Sequence, residues 1–192
     1  MFGRISDIRI LALAFVLATS PAWAQRSLIT VHVQKAGVFS GFGHNHTITA
    51  PIAQAVINEK NPSAEIVVLT KQMKVVDTEV SDSDRAKIQS TMLGPEVLDA
   101  QKYPEVRFRS SRIEQISPQH YHVTGTLTLH GVSKEITFEV SGGDHYQGTA
   151  KLNQTDFGIK PVSVAGGTIK VKDQLELAFD LYPGEFANGN RR

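Results

Sequence analysis

The sequence predicts an all-β domain interrupted by one short helical insert. Three observations carry that expectation. Residues 121–130 and 175–181 alternate apolar and polar side chains with a period of two, the pattern of a sheet with one buried and one wet face. Strand-like runs recur at short spacing, punctuated by Gly, Pro and Asn. Only around residues 81–93 does the period lengthen to that of a helix. The runs amount to about eight or nine antiparallel strands, which must stack as a sandwich or close as a barrel, and periodicity alone does not choose between them.

The N-terminal segment reads as an address. Arg4 and Arg9 are basic, residues 10–18 are an unbroken apolar run, and Ala22-Trp23-Ala24 offers small residues at −3 and −1. Basic, apolar, A-x-A is the layout of a secretory signal peptide, expected to be cleaved after Ala24. The apolar run is shorter than the roughly 20 residues needed to cross hydrocarbon, and no later stretch is longer, so a chain that does not span the membrane is expected. Residues 25–182 then form the domain, and residues 183–192 a flexible tail.

Residues 28–33 are rich in β-branched residues and read as the first strand. Gly37, Gly41 and Gly43 break the next stretch, residues 44–50 resume as extended chain, and residues 52–57 form another short run. Asn61-Pro62 centres a turn. Residues 65–76 read as one long strand, with Val67, Leu69, Met73 and Val75 on one face. Ser81, Asp82, Ser83 and Asp84 offer N-caps for a helix over residues 86–93, which Gly94-Pro95 stops. Strands are expected over residues 106–116, 121–130, 136–140, 146–152, 157–162, 168–171 and 175–181, with turns at Gly131, Gly142-Gly143 and Gly166-Gly167.

Composition excludes several functions. The chain has 192 residues, a net charge of +1, 41% hydrophobic residues and no cysteine. Absent cysteine removes disulfide scaffolds, thiol catalysis and Cys-ligated metal. Loss of residues 1–24 takes Arg4, Asp7 and Arg9, bringing the charge to zero, so nucleic acid is not an expected partner. No G-x-S-x-G elbow, H-E-x-x-H helix, P-loop or G-x-G-x-x-G is present, and no cofactor is expected.

Several stretches resemble the YceI-like family. Gly125-Thr126-Leu127-Thr128-Leu129-His130-Gly131-Val132-Ser133-Lys134 is similar to its G-x-L-T-x-H-G-V-[ST]-K hairpin. Tyr103-Pro104 with Phe108 and Ser110 resembles its Y-P-x-x-x-F-x-S segment, and Asp156-Phe157-Gly158-Ile159 its D-F-G-I run. Lys172-Asp173-Gln174-Leu175 resembles the turn before its last strand, and residues 32–46 a branch carrying G-H-x-H. Two positions depart: Asp84-Arg85 reverses the family's Arg-Asp pair, and Gln154-Thr155 stands where many members have an arginine. The resemblance implies an antiparallel eight-stranded lipocalin-like β-barrel with an elongated apolar cavity. It implies an exported, periplasmic, non-catalytic protein that binds a polyisoprenoid or similar long-chain amphiphile for storage or transfer.

On that reading the cavity wall comprises Phe108, Val123, Leu127, Leu129, Ile136, Phe138, Phe157, Ile159, Leu177 and Phe179, and the mouth or headgroup site His44, His46, Lys71 and Met92. Ordinary core packing competes for each wall residue. His44 and His46, two apart, share a strand face and are weak candidates for a metal pair, so a metal-binding protein or metalloenzyme is the alternative. His120 and His122 repeat the spacing, and His130 is expected to be structural. Asp77, Glu79, Asp82 and Asp84 read as a solvated loop and helix cap. A third possibility is a filled barrel acting as a stress-linked or partner-binding domain, and unpaired edges near Gly41 or in the last strand allow a homodimer.

The signal reading has a direct test. N-terminal sequencing of protein recovered from the periplasm of an expressing Gram-negative host is expected to begin at Gln25; an intact Met1 in that fraction contradicts cleavage.

Overall fold

The computed structural model describes residues 27–36, 44–143, 145–164 and 169–186. The signal segment, the Gly37–Gly43 run and the Gly166-Gly167 turn lie outside those residues. In chain order the strands are β1 (Leu28–Ala36), β2 (His46–Asn58), β3 (Ser63–Leu69), β4 (Lys74–Val75), β5 (Glu105–Ser117) and β6 (His120–Leu129). They continue with β7 (Val132–Ser141), β8 (Tyr146–Asn153), β9 (Ser163–Val164) and β10 (Ile169–Leu181). The helices are α1 (Asp82–Leu93) and the short α2 (Pro183–Phe186).

Eight strands close antiparallel in the cyclic order β1-β2-β3-β5-β6-β7-β8-β10, with β1 paired to both β2 and β10. The short β4 and β9 attach to β2 and β10. Closure decides the choice between sandwich and barrel that periodicity left open. The inward parity is Ile29, Val31 and Val33 on β1, facing Ala50, Ile48 and His46 on β2 and Phe179, Leu177 and Leu175 on β10.

Several boundaries differ from expectation, each for a local reason. The 44–50 and 52–57 runs are one strand, β2, continuing through Pro51. A bulge between Ile52 and Gln54 then inverts its parity, so Ile52 and Ile57 point inward while Val56 is 66% exposed. The long 65–76 strand does not exist. Buried Thr70 donates its N–H to the carbonyl of Pro104 (2.9 Å) and its hydroxyl to that of Tyr103 (2.8 Å), and the chain turns into a 3-10 segment, Thr70–Gln72. The inner face of β3 is therefore Ile66 and Val68, opposite Phe108 and Val106, not the Val67–Leu69 parity.

The 157–162 strand is replaced by a 3-10 turn, Gln154–Phe157, closed by Gly158 at φ 72°, where the N–H groups of Gly158 and Ile159 donate to Thr155 and Gln154. The last two expected strands are continuous in β10. The expected flexible tail begins instead with α2, whose Glu185 carboxylate accepts the N–H of Ser27 at 2.6 Å. Residues 187–192 lie outside the described residues.

Helix α1 begins one turn earlier than its apolar residues suggest. The Ser81 hydroxyl accepts the N–H of Asp84 (3.1 Å), the N-cap arrangement. Gln89 docks the helix: its side chain accepts from the N–H of Val75 (2.7 Å) and donates to the carbonyl of Met73 (2.9 Å), pairing with the β4 region as a strand would. Met92 is thereby buried over one barrel end.

His130 and Gly131 form a two-residue hairpin turn, both at positive φ (51° and 75°), the geometry that matches the twist of a tight hairpin. The turn is also a packing knot. Tyr103 meets the His130 ring edge-on at 4.6 Å, and His130 Nδ1 lies 3.2 Å from the Phe157 carbonyl. A Cβ on Gly131 would collide with the Tyr103 ring. The Gly131→Ala variant is expected to lose about 2 kcal/mol or more of stability, from the left-handed backbone and the collision together. Urea denaturation measures this; an unchanged midpoint would show the turn has slack.

Candidate ligand cavity

The barrel is hollow. Two chambers lie end to end, of about 370 Å3 at the end away from α1 and about 400 Å3 beneath α1. Ile29, Leu127 and Leu177 line both, so the chambers meet at a waist formed by these three residues. The filled-barrel alternative is thus at odds with the interior.

The distal chamber is walled by aromatic rings that small residues accommodate. Phe108, Phe138 and Phe179 stand in a row, with ring centroids 5.3 and 5.6 Å apart and inclined to one another. Gly125 leaves room for Phe108, and Gly148 for Phe179: a Cβ at either would strike the ring. At the far end Tyr146 donates its hydroxyl to Glu59 Oε1 (3.0 Å) and meets Tyr121 edge-on. Burial, reinforced by Glu59, pushes the Tyr146 phenol up to about 12.

The chamber beneath α1 is apolar in its depth, with Val31, Val33, Ile48, Val68, Leu129 and Leu152 among its lining residues. Its lining also includes His44, His46, Lys35, Lys87 and Lys170. His46 is held: its Nδ1 lies 2.7 Å from Asp77 Oδ2, while Asp77 Oδ1 accepts the N–H of Thr47 at 2.7 Å. Asp77 is 7% exposed, and its backbone carbonyl accepts from Arg85.

The expected wall residues line these chambers, with one exception. Phe108, Val123, Ile136, Phe138 and Phe179 line the distal chamber, Leu129 and Ile159 the chamber under α1, and Leu127 and Leu177 both. Phe157 lines neither. It is 1% exposed within the packed core, because the 3-10 turn before Gly158 carries it there. Of the mouth residues, His44, His46 and Met92 line the chamber under α1. Lys71 does not; it lies exposed on the Thr70–Gln72 turn, where no strand aims it inward.

Asp77 corrects a further expectation, being a buried partner of His46 and not part of a solvated loop. Nothing local marks it, since the contact spans 31 positions of sequence. Lys35, Lys87, Lys170 and Tyr146 likewise escape sequence reasoning, as isolated charged or polar residues give no periodic signal. Among the described residues no group of three His, Cys, Asp or Glu side chains is placed to hold a metal ion, and Asp77 engages one nitrogen of the better histidine pair. No helix among them is long and apolar enough to cross a membrane.

The sequence matches the YceI-like domain over residues 23–182. It is 32% identical over 105 residues to a UPF0312 protein of Pseudomonas putida strain W619, covering 49% of this chain and 55% of that protein. It is 34% identical over 113 residues to one of Vibrio parahaemolyticus, covering 53% and 59%. The chain thus spans a little over half the length of these relatives. Among solved structures, Burkholderia cenocepacia BcnA aligns with a TM-score of 0.57 at 17% identity, over 81% of this chain and 94% of that one. A mutant of the Campylobacter jejuni YCEI protein aligns with a TM-score of 0.51 at 17% identity, over 94% and 90%. At such identity these two speak for the barrel alone.

The Tyr146 phenol yields a pH prediction. A phenol that binds its proton more tightly folded than unfolded contributes stability below pH about 10, and that contribution is lost as pH rises toward about 12. Stability is expected to fall across this alkaline window, and Tyr146→Phe to remove that share of the fall. Denaturant midpoints across the window check it; identical pH curves for the two proteins would contradict it.

Proposed function

The chain belongs to the YceI-like family, and from that membership and the hollow barrel we propose that it binds a long-chain polyisoprenoid or similar amphiphile. It holds the chain for storage or transfer, without altering it, in the periplasm after loss of residues 1–24. The supporting observation is a pair of apolar chambers that adjoin end to end at Ile29, Leu127 and Leu177. A cavity of this shape suits one extended hydrocarbon chain better than a compact ligand. Burial is favourable by roughly 25 cal/mol per Å2 of apolar surface, so each further part of the chain threaded inside strengthens binding. The residues proposed to contact it are those of the two walls, with Phe108, Phe138 and Phe179 forming the aromatic side.

Native mass spectrometry of the protein purified from its host is expected to show an added mass that organic extraction releases as a lipid. A barrel without lipid that also fails to bind polyprenols or isoprenoid quinones overturns the proposal. Leu127→Trp, which narrows the waist, is expected to weaken binding of a long polyprenol by about tenfold or more while sparing geraniol, which fits one chamber. Equal effects on both would mean that the ligand does not pass the waist.

A further inference from the structure

The two ends of the cavity differ in charge. Among the described residues lining the distal chamber the ionisable ones are Glu59, Tyr121 and Tyr146. Among those lining the chamber under α1 they are Lys35, His44, His46, Lys87 and Lys170, with no carboxylate. Among the described residues, an amphiphile threaded through such a cavity meets cationic groups at the α1 end.

We propose that the α1 end is an anion-binding site for the ligand's head, and that anion binding there is coupled to protonation of His46, which Asp77 positions. The inference rests on the amphiphile reading and adds to it the charge and direction of the ligand. His46 Nδ1 is 2.7 Å from Asp77 Oδ2. With Nδ1–H donating to the carboxylate, the other nitrogen, Nε2, is left for a further partner, and His46 lines the chamber. Unprotonated, Nε2 is an acceptor and repels an anionic oxygen; protonated, it is a charged donor.

Imidazoles make that change between about pH 5 and 8. Facing the same chamber are Lys35 from β1, Lys170 from β10, Lys87 from α1 and His44 beside the start of β2. Arg85 is turned to the Asp77 backbone carbonyl and to the Asp82 carboxylate, and Asp84 pairs with Lys87 at 3.3 Å and interacts electrostatically with His44. An anion bound among these lysines favours positive charge on the neighbouring imidazole, and a protonated imidazole favours the anion, so each event strengthens the other. Asp77 does not touch the ligand; it is a positioning residue.

The test uses the full mature protein and two probes of equal chain length: a long-chain alkyl sulfonate, whose charge is fixed over this range, and the matching alkanol. Sulfonate affinity is expected to rise by about tenfold from pH 8 to 5.5, while the alkanol shows no slope. His46→Gln should flatten the sulfonate slope, and Asp77→Asn, which frees the ring, should reduce it. Lys87→Gln, at an exposed rim position, should lower the sulfonate-to-alkanol affinity ratio, which keeps the test decisive if the His46 variant does not fold. An equal slope for the alkanol, a slope that survives His46→Gln, or an unchanged ratio in Lys87→Gln overturns the proposal. If the alkanol binds and the sulfonate binds no better, only this inference fails. If neither binds, the amphiphile reading fails, and this inference with it.

Discussion

Closure through β1 is the constraint on which the rest depends. A sheet of these strands left open would expose two edges and wet its interior; β1 bridges them by pairing with β10 on one side and β2 on the other. Because its side chains alternate, a slip of one residue would turn Ile29, Val31 and Val33 outward and empty one wall of the cavity. Ser27 pins the register. It is 1% exposed, and its N–H donates to Glu185, its carbonyl accepts from Ile52 and its hydroxyl accepts from Tyr182. One small buried residue thus ties the start of β1 to β2 and to the turn after β10, with its polar groups satisfied.

Once closed, the barrel remains hollow because its large and small residues are unevenly distributed. Gly125 and Gly148 make room for Phe108 and Phe179, so the aromatic rings lie along the wall instead of crossing the middle. The opposite device operates where the wall is weakest. β7 and β8 pair over only Glu139–Ser141 and Gln147–Thr149, and the Gln154–Phe157 turn packs against both strands. Phe157 is buried there, which explains why a family motif residue is structural and not part of the chambers. The same holds for Tyr103, His130 and Gly131, which meet in one knot. Of the motif residues, Tyr103, His130, Gly131 and Phe157 hold the barrel shut, while Phe108, Leu127, Leu129 and Ile159 face the cavity.

This division explains how much of the molecule is legible in its sequence. Strands β6 and β10 announce themselves by alternation, and their inward residues Val123, Leu127, Leu129, Leu177 and Phe179 follow from parity alone. Alternation fails where a third dimension intervenes. The bulge in β2 inverts parity just after Pro51, and the break after Leu69 is caused by hydrogen bonds to Tyr103 and Pro104, more than 30 residues away. The 157–162 run has the β-like composition of a strand, yet the left-handed Gly158 turns it. Asp77 is hidden for the same reason: an acidic residue in an acidic run looks solvated until its partner across the fold is known.

The cavity and its rim contribute to binding in different ways. Each buried methylene contributes about 0.8 kcal/mol, so an extended chain filling both chambers dominates affinity by length. A charged hydrogen bond at the rim contributes about 1.5 to 3 kcal/mol, equivalent to only a few carbons. Yet the apolar term is blind to direction, since a hydrocarbon chain gains the same burial whichever way it enters. Only the rim breaks that symmetry, with cationic side chains at the α1 end and the Tyr146–Glu59 pair at the other. A polar term of this size can therefore decide orientation while supplying a minor share of the affinity. The separation also permits release: a change of charge at His46 alters the smaller term without requiring the aromatic wall or the closure at β1 to move.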